Sequence, residues 1–185
     1  MSKALDGLLK LLKTIFTSGK ANMKDEFKIE ASIDIVFEPK FKNEVLELKR
    51  PVDIKFPISS PFGWRDNPFK KDEKKFHNGI DFATPIGTPV YAMVDGECFQ
   101  AGWENQLDQK QGFGLRVWQE ATIEDKRVYI WYAHLSEVKI KPVEQIKIGD
   151  LIGYTGNSGS STGPHLHVQS RGKNSGKLFN MVFHA

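Results

Sequence analysis

The sequence predicts a mainly β protein, an antiparallel β domain preceded by an amphipathic helix and a few short strands. Three observations predict it. After residue 20 no apolar period of three to four residues persists, so no long helix is expected there. From Pro57 onward aromatic, Gly and Pro residues become frequent and strand-like runs become short. Turn signals punctuate those runs at close intervals, as hairpin-connected sheets require.

In chain order, residues 2–18 read as a helix. Leu5, Leu8, Leu9, Leu12, Ile15 and Phe16 share one face, and Lys3, Asp6, Lys10, Lys13 and Thr17 the other. Ser2 can cap its start and Ser18-Gly19 can end it. Such a helix docks on its own domain or a partner subunit, or lies on a membrane surface. Residues 27–35 alternate strictly, with Phe27, Ile29, Ala31, Ile33 and Ile35 on one side, which predicts a half-exposed strand. Residues 44–58 hold two shorter strand-like pieces split by Pro51. Residues 1–56 thus form an appendage with no chemical cluster, and residues 57–185 a second domain. In that domain, runs 88–94 and 97–103 flank Asp95-Gly96, a hairpin signal. Runs 113–120 and 127–134 form a second pair across a polar turn. Runs 148–155 and 165–170 surround a Gly/Ser-rich loop.

Composition narrows the chemistry. The chain has 185 residues and a net charge of +3, too mild a bias to indicate nucleic-acid binding by itself. No run approaches the roughly 18 apolar residues of a membrane-spanning helix. Lys10 and Lys13 interrupt what would be the apolar core of a leader, so no cleaved signal peptide is expected. Cys98 is the single cysteine, which excludes an internal disulfide and a thiolate metal site. A metal would need His, Asp or Glu.

Five histidines are available: His77, His134, His165, His167 and His184. In Gly163-Pro164-His165-Leu166-His167-Val168, a strand would project both imidazoles to one face and send Leu166 and Val168 into the core. His77 and Asp81 are four apart and share a face whether the segment is helical or extended. Alone, each pattern is a weak signal, and two surface histidines or a surface ion pair are the more ordinary readings. Together, His77, Asp81 and one of His165 and His167 supply three N, N and O donors, the ligand number of a catalytic zinc with one open position. The other histidine of the pair is then free for proton transfer. His134 closes the run 127–133. No HExxH helix is present, so histidine must do the acid–base work of any hydrolase here.

The motifs Phe62-Gly63-Trp64-Arg65, HNGIDFATPIGTPVYA, YAHLS and IGYTGNSGSSTGPHLHV resemble, in this order, the lysostaphin-type (LytM-like) zinc endopeptidases over residues 57–185. The resemblance implies a lysostaphin-like antiparallel sheet, Zn2+ held by His77, Asp81 and His167, and His134 with His165 as the catalytic pair. It implies hydrolysis of peptide cross-links in bacterial peptidoglycan. Some members are non-catalytic wall-binding or regulatory modules that have lost ligands; here all five positions are intact. Two departures stand out. Gln169 occupies a position that is often acidic, and the tail LFNMVFHA lacks the usual proline-containing ending. The resemblance makes residues 153–163 a groove wall before the HxH strand. Arg65 and Tyr132 are compatible with lining that groove and equally with core or surface roles, and loops 104–112 and 121–127 would shape it. Cys98 is expected to be packed and His184 solvated. A wall hydrolase without a leader needs another route to its substrate, and a phage particle or lysis cassette would supply one. The N-terminal helix would then serve a membrane or partner-protein contact.

Overall fold

The computed structural model describes residues 40–42 and 44–185, which belong to one compact unit. The expected helix at 2–18 and strand at 27–35 lie outside the described residues. Fifteen strands follow one another among the described residues, with no helix. They are β1 (Lys40–Lys42), β2 (Val45–Lys49), β3 (Ile58–Ser60), β4 (Gly63–Asp66) and β5 (Lys74–His77). Next come β6 (Gly79–Ala83), β7 (Pro89–Tyr91), β8 (Gly96–Trp103), β9 (Leu115–Ile123) and β10 (Lys126–Val138). The last are β11 (Gln145–Ile146), β12 (Leu151–Thr155), β13 (His165–Gly172), β14 (Leu178–Phe179) and β15 (Met181–His184). The mainly β, antiparallel class predicted from sequence is the class observed.

The principal sheet has ten strands, with the order β11-β8-β9-β10-β13-β6-β3; β12 and β14 join along β10 and β13, and β7 pairs β12. Period-two alternation divides its two faces. Val117, Ala121, Val128, Ile130, Tyr132, Leu166, Val168, Ile80 and Phe82 point into one core and are 0–3% exposed. Their neighbours along each strand turn to the other face. That face carries Trp118, Trp131, His165, His167, Gln169 and Asp81, and it bears the site. Tyr132 is therefore a core residue rather than a groove residue. Its hydroxyl donates to Gln119 Oε1 (2.8 Å) and accepts from Met93 N (3.0 Å), and burial raises its phenol further from ionisation.

Of the predicted strand pairs, 113–120 with 127–134 forms as β9–β10, with Thr122 opposite Arg127. The Asp95-Gly96 hairpin does not form. β7 pairs with β12, and β8 pairs with β9 and β11. Both residues have other duties. Asp95 Oδ1 accepts from Ile148 N (2.7 Å), and a Cβ at position 96 would lie 2.3 Å from Glu120 O, so only glycine lets β8 close on β9. β12 and β13 flank the long β10 rather than each other, apart from the bridge Gly156–His165.

A second, three-stranded sheet joins β1, β2 and β15. β2 runs antiparallel to β1 and parallel to β15, with Leu46 opposite Met181. Leu46, Leu48 and Met181 are at most 2% exposed and pack into the same core as Phe82. The tail that departs from the family pattern is thus a structural strand. His184 lies exposed near its end, with its Nε2 3.5 Å from Glu47.

Candidate metal centre and active site

Four strands deliver the site. β13 brings His165 and His167, β6 brings Asp81, β5 ends on His77, and β10 carries His134. The β13–β6 register sets His167 opposite Asp81, and the β10–β13 register sets Ala133 opposite His167. Gly79 makes this closeness possible. A Cβ there would lie 2.2 Å from Val168 O and 2.6 Å from His167 Cε1.

Three donor atoms converge. His77 Nε2 lies 3.1 Å from Asp81 Oδ1 and 3.2 Å from His167 Nδ1, and His167 Nδ1 lies 2.7 Å from the same Oδ1. All three residues are buried. A carbonyl only accepts, so the 2.9 Å contact of His77 Nδ1 with Pro61 O puts the proton on Nδ1 and leaves Nε2 a bare lone pair. His167 Nε2 is buried with no partner, so Nδ1 at the cluster is that ring's working atom. Tetrahedral zinc with ordinary N and O bond lengths sets neighbouring ligand atoms about 3.3 Å apart. The triangle here is close to that size, and it pairs one carboxylate with imidazole nitrogens. The residues fit a zinc ion.

The protonation states fit as well. At Asp81, burial favours the neutral acid, but hydrogen bonds and charge from His167 and His77 outweigh it and hold the carboxyl well below the usual carboxylate range. Burial pushes the His167 imidazolium down against the pull of Asp81. Ionised carboxylate and neutral imidazole are the forms that bind a divalent metal.

His134 and His165 stand beside the triangle. Their ring centroids are 4.6 Å apart, and His165 Nε2 is 3.7 Å from Asp81 Oδ1. His134 Nδ1 donates to Ser158 O (2.7 Å) and His165 Nδ1 to Gly163 O (2.8 Å), so each ring keeps a free Nε2. Burial first, then His165 and His167, push the His134 imidazolium down to about 3. His134 also sits at φ 60°, left-handed backbone that a non-glycine residue adopts at a cost of roughly 1–3 kcal/mol. The surroundings impose it. β10 shifts register against β9 between Tyr132 and Leu135, and His134 N donates to Phe113 O (2.9 Å).

These groups lie in an open groove of about 570 Å³. Phe69, Lys75 and Arg65 border it on one side, and Glu104, Phe113 and Ser160 on another. The 153–163 segment contributes Ser160, Ser161, Thr162 and Gly163, as a groove wall should. Loop 104–112 contributes through Glu104 and Gly112. The 121–127 turn does not reach the groove, because it closes β9–β10 at the end away from His134. Gln169 lines the groove and is 8% exposed. Cys98 is fully buried, and burial, then Glu144 and Glu97, push its thiol up to about 11.

Sequence reasoning missed several supports. The Phe113 ring stacks on His167 at 5.7 Å. Ser158 ties three segments together: its carbonyl accepts from His134, its hydroxyl donates to Leu135 O (2.8 Å), and it accepts from Leu115 N (3.0 Å). Neither residue carries a local signal, since each acts through contacts distant in sequence.

Residues 75–180 match the sequence profile of peptidase family M23. The chain is 37% identical over 121 residues to the peptidoglycan DD-endopeptidase ShyA of Vibrio cholerae, a match covering 64% of this chain and 26% of that protein. Two solved structures share the fold. The catalytic domain of the antimicrobial peptidase lysostaphin from Staphylococcus simulans superposes with a TM-score of 0.55 at 32% identity, covering 68% of this chain and 89% of that one. A zinc-containing peptidase from Vibrio cholerae superposes with a TM-score of 0.57 at 31% identity, covering 69% and 37%. The match spans between 17% and 30% of the length of such curated relatives. The profile runs from β5 to Asn180 and takes in all five site residues; the chain belongs to peptidase family M23.

Proposed function

We propose that the chain is a zinc endopeptidase that hydrolyses peptide cross-links of bacterial peptidoglycan. The observation that carries the reading is the convergence of His77 Nε2, Asp81 Oδ1 and His167 Nδ1 within 3.2 Å, beside two histidines with free Nε2 atoms. His77, Asp81 and His167 hold the metal. Bound zinc would supply a Lewis acid for the scissile carbonyl and a water that ionises near neutral pH. One of His134 and His165 takes the attacking water's proton through Nε2 as the bond to the carbonyl carbon forms. The other, as imidazolium with a second proton on Nε2, donates that N–H to the developing oxyanion, a charge that bound zinc would also stabilise. The proton then passes to the amine nitrogen as the C–N bond breaks. The open groove suits an extended peptide, and the similarity to a peptidoglycan endopeptidase supports the wall as its source.

The test is turbidity loss of purified peptidoglycan with the parent protein, the chelated protein and His167→Ala. Clearing by the parent alone, restored to the chelated sample by zinc, supports the reading. Equal clearing in all samples overturns it.

We also propose that residues 1–56 are an attachment element to the domain at 57–185, with β2 as its tie. The apolar face of residues 2–18 would meet a membrane or partner protein, in the setting of a phage particle or lysis cassette. Full-length Leu8→Glu/Leu12→Glu should lose vesicle or particle co-sedimentation and keep its hydrolysis; unchanged co-sedimentation overturns the proposal.

A further inference from the structure

We infer that Arg65 is a positioning residue that fixes Asp81 as a one-oxygen ligand and braces His77 through Ser60. The inference rests on the metal reading above. The two oxygens of Asp81 have separate duties. Oδ1 faces His77, His167 and His165, whereas Oδ2 accepts from Arg65 Nη1 at 3.2 Å. A carboxylate held by a cation on one oxygen cannot swing that oxygen onto the metal without giving up the pair. The same Nη1 donates to Ser60 Oγ at 2.6 Å, and Ser60 Oγ lies 3.3 Å from His77 Nδ1. One guanidinium nitrogen therefore reaches both ligands from behind.

The backbone makes this arrangement a built one. Arg65 lies on β4 and His77 ends β5, and these strands pair with Gly63 opposite His77 and Arg65 opposite Lys75. Gly63, at φ 119°, takes a conformation other residues avoid and lets the chain enter β4 beside Pro61, whose carbonyl holds His77. The Asp81 side chain is 9% exposed and that of Arg65 30%. Lysine would keep the charge, but on a flexible stem with no rigid planar group to hold its nitrogen where Nη1 meets Oδ2 and Ser60.

Arg65 also borders the groove, and its Nε is buried without a partner, so a direct contact with substrate is the competing role. The experiment separates the two. Zinc affinity of the full chain is measured by competition with a chromogenic chelator for the parent, Arg65→Lys, Arg65→Gln and Arg65→Ala, each checked for a parent-like circular dichroism spectrum. Outer partners of metal ligands typically contribute 10–100-fold in affinity. The expected result is weakening in that range for Arg65→Ala and Arg65→Gln and a smaller loss for Arg65→Lys. Partial recovery of Arg65→Ala on adding guanidinium ion is also expected, which general loosening of the fold would not give. Zinc affinity within twofold of the parent in all variants, with a raised KM, overturns the inference and leaves Arg65 a substrate contact. A parent that binds no zinc overturns the metal reading together with this one.

Discussion

At the scale of single residues, the proposed ligand His77 takes its tautomer from the Pro61 carbonyl, and the two histidines beside the proposed ligands are held in the same way. Backbone carbonyls of Ser158 and Gly163 fix their tautomers, so neither ring depends on the metal for its orientation. His134→Ala and His165→Ala should therefore bind zinc as the parent does while losing hydrolysis. Removing a positioned acid or base typically costs about 10²–10⁴ in rate. Zinc content and kcat measured on the same preparations check this, and a variant that loses zinc in parallel with activity would assign that histidine to the metal. The pairing of His165 with His167 was legible in the sequence because period two is a property of every strand. Asp81 and His77 were legible as a pair by their nearness in sequence, although two strands, β5 and β6, and not one strand's alternation bring them together. Phe113 and Ser158 were not, because a ring stacked across strands and a loop carbonyl have no signature in the residues around them. Tyr132 reads as a groove candidate beside His134, yet the same alternation that turns Trp131 to the outer face sends Tyr132 inward.

At the scale of elements, the site is a matter of register. Asp81 meets His167 because β6 and β13 pair with Ile80 opposite Val168 and Gly79 opposite Gln169. Any side chain at position 79 collides with Val168 O and the His167 ring. Gly79→Ala should force the two strands apart locally, at a cost of about 1–3 kcal/mol typical of overpacking. Zinc affinity should fall with it, because the carboxylate and the imidazole separate together. Thermal unfolding with and without zinc checks this; a variant as stable as the parent, with the same zinc-dependent rise in Tm, would show that the strand gap is elastic. The misread Asp95-Gly96 turn teaches the converse lesson. Glycine next to aspartate signals a hairpin only where φ must be positive. Here Gly96 answers a close approach of backbone from β9, a demand that comes from a strand more than twenty residues away.

At the scale of the whole molecule, buried neutral imidazoles link folding to pH. The His134 imidazolium is pushed down to about 3, and that of His167 is also lowered. Below roughly 6.5 the unfolded chain binds protons that the folded chain refuses, so stability falls as the solution is acidified. Asp81 acts in the same direction at lower pH: its folded carboxyl lies below the unfolded value, and its contribution is lost as pH falls through the folded value. For the chelated protein, the loss from His134 alone is about 1.4 kcal/mol per pH unit below roughly 6.5. Melting curves of metal-free protein at pH 7.5, 6.5 and 5.5 should show a Tm that is steady over the first interval and lower over the second. A flat Tm would mean that the imidazoles charge in place.

The pairing of β2 with β15 has a mechanical meaning. β2 is flanked by β1, antiparallel to it, and by β15, the last of the described strands, parallel to it. Tension that enters along the chain at Val45 pulls along the axis of β2, so the bonds between β2 and β15 are loaded side by side rather than opened one after another. A tether upstream of residue 40 would first peel away the short β1 and from then on hold the domain through a shear joint. The groove, on other strands, would keep its shape while the joint bears the load.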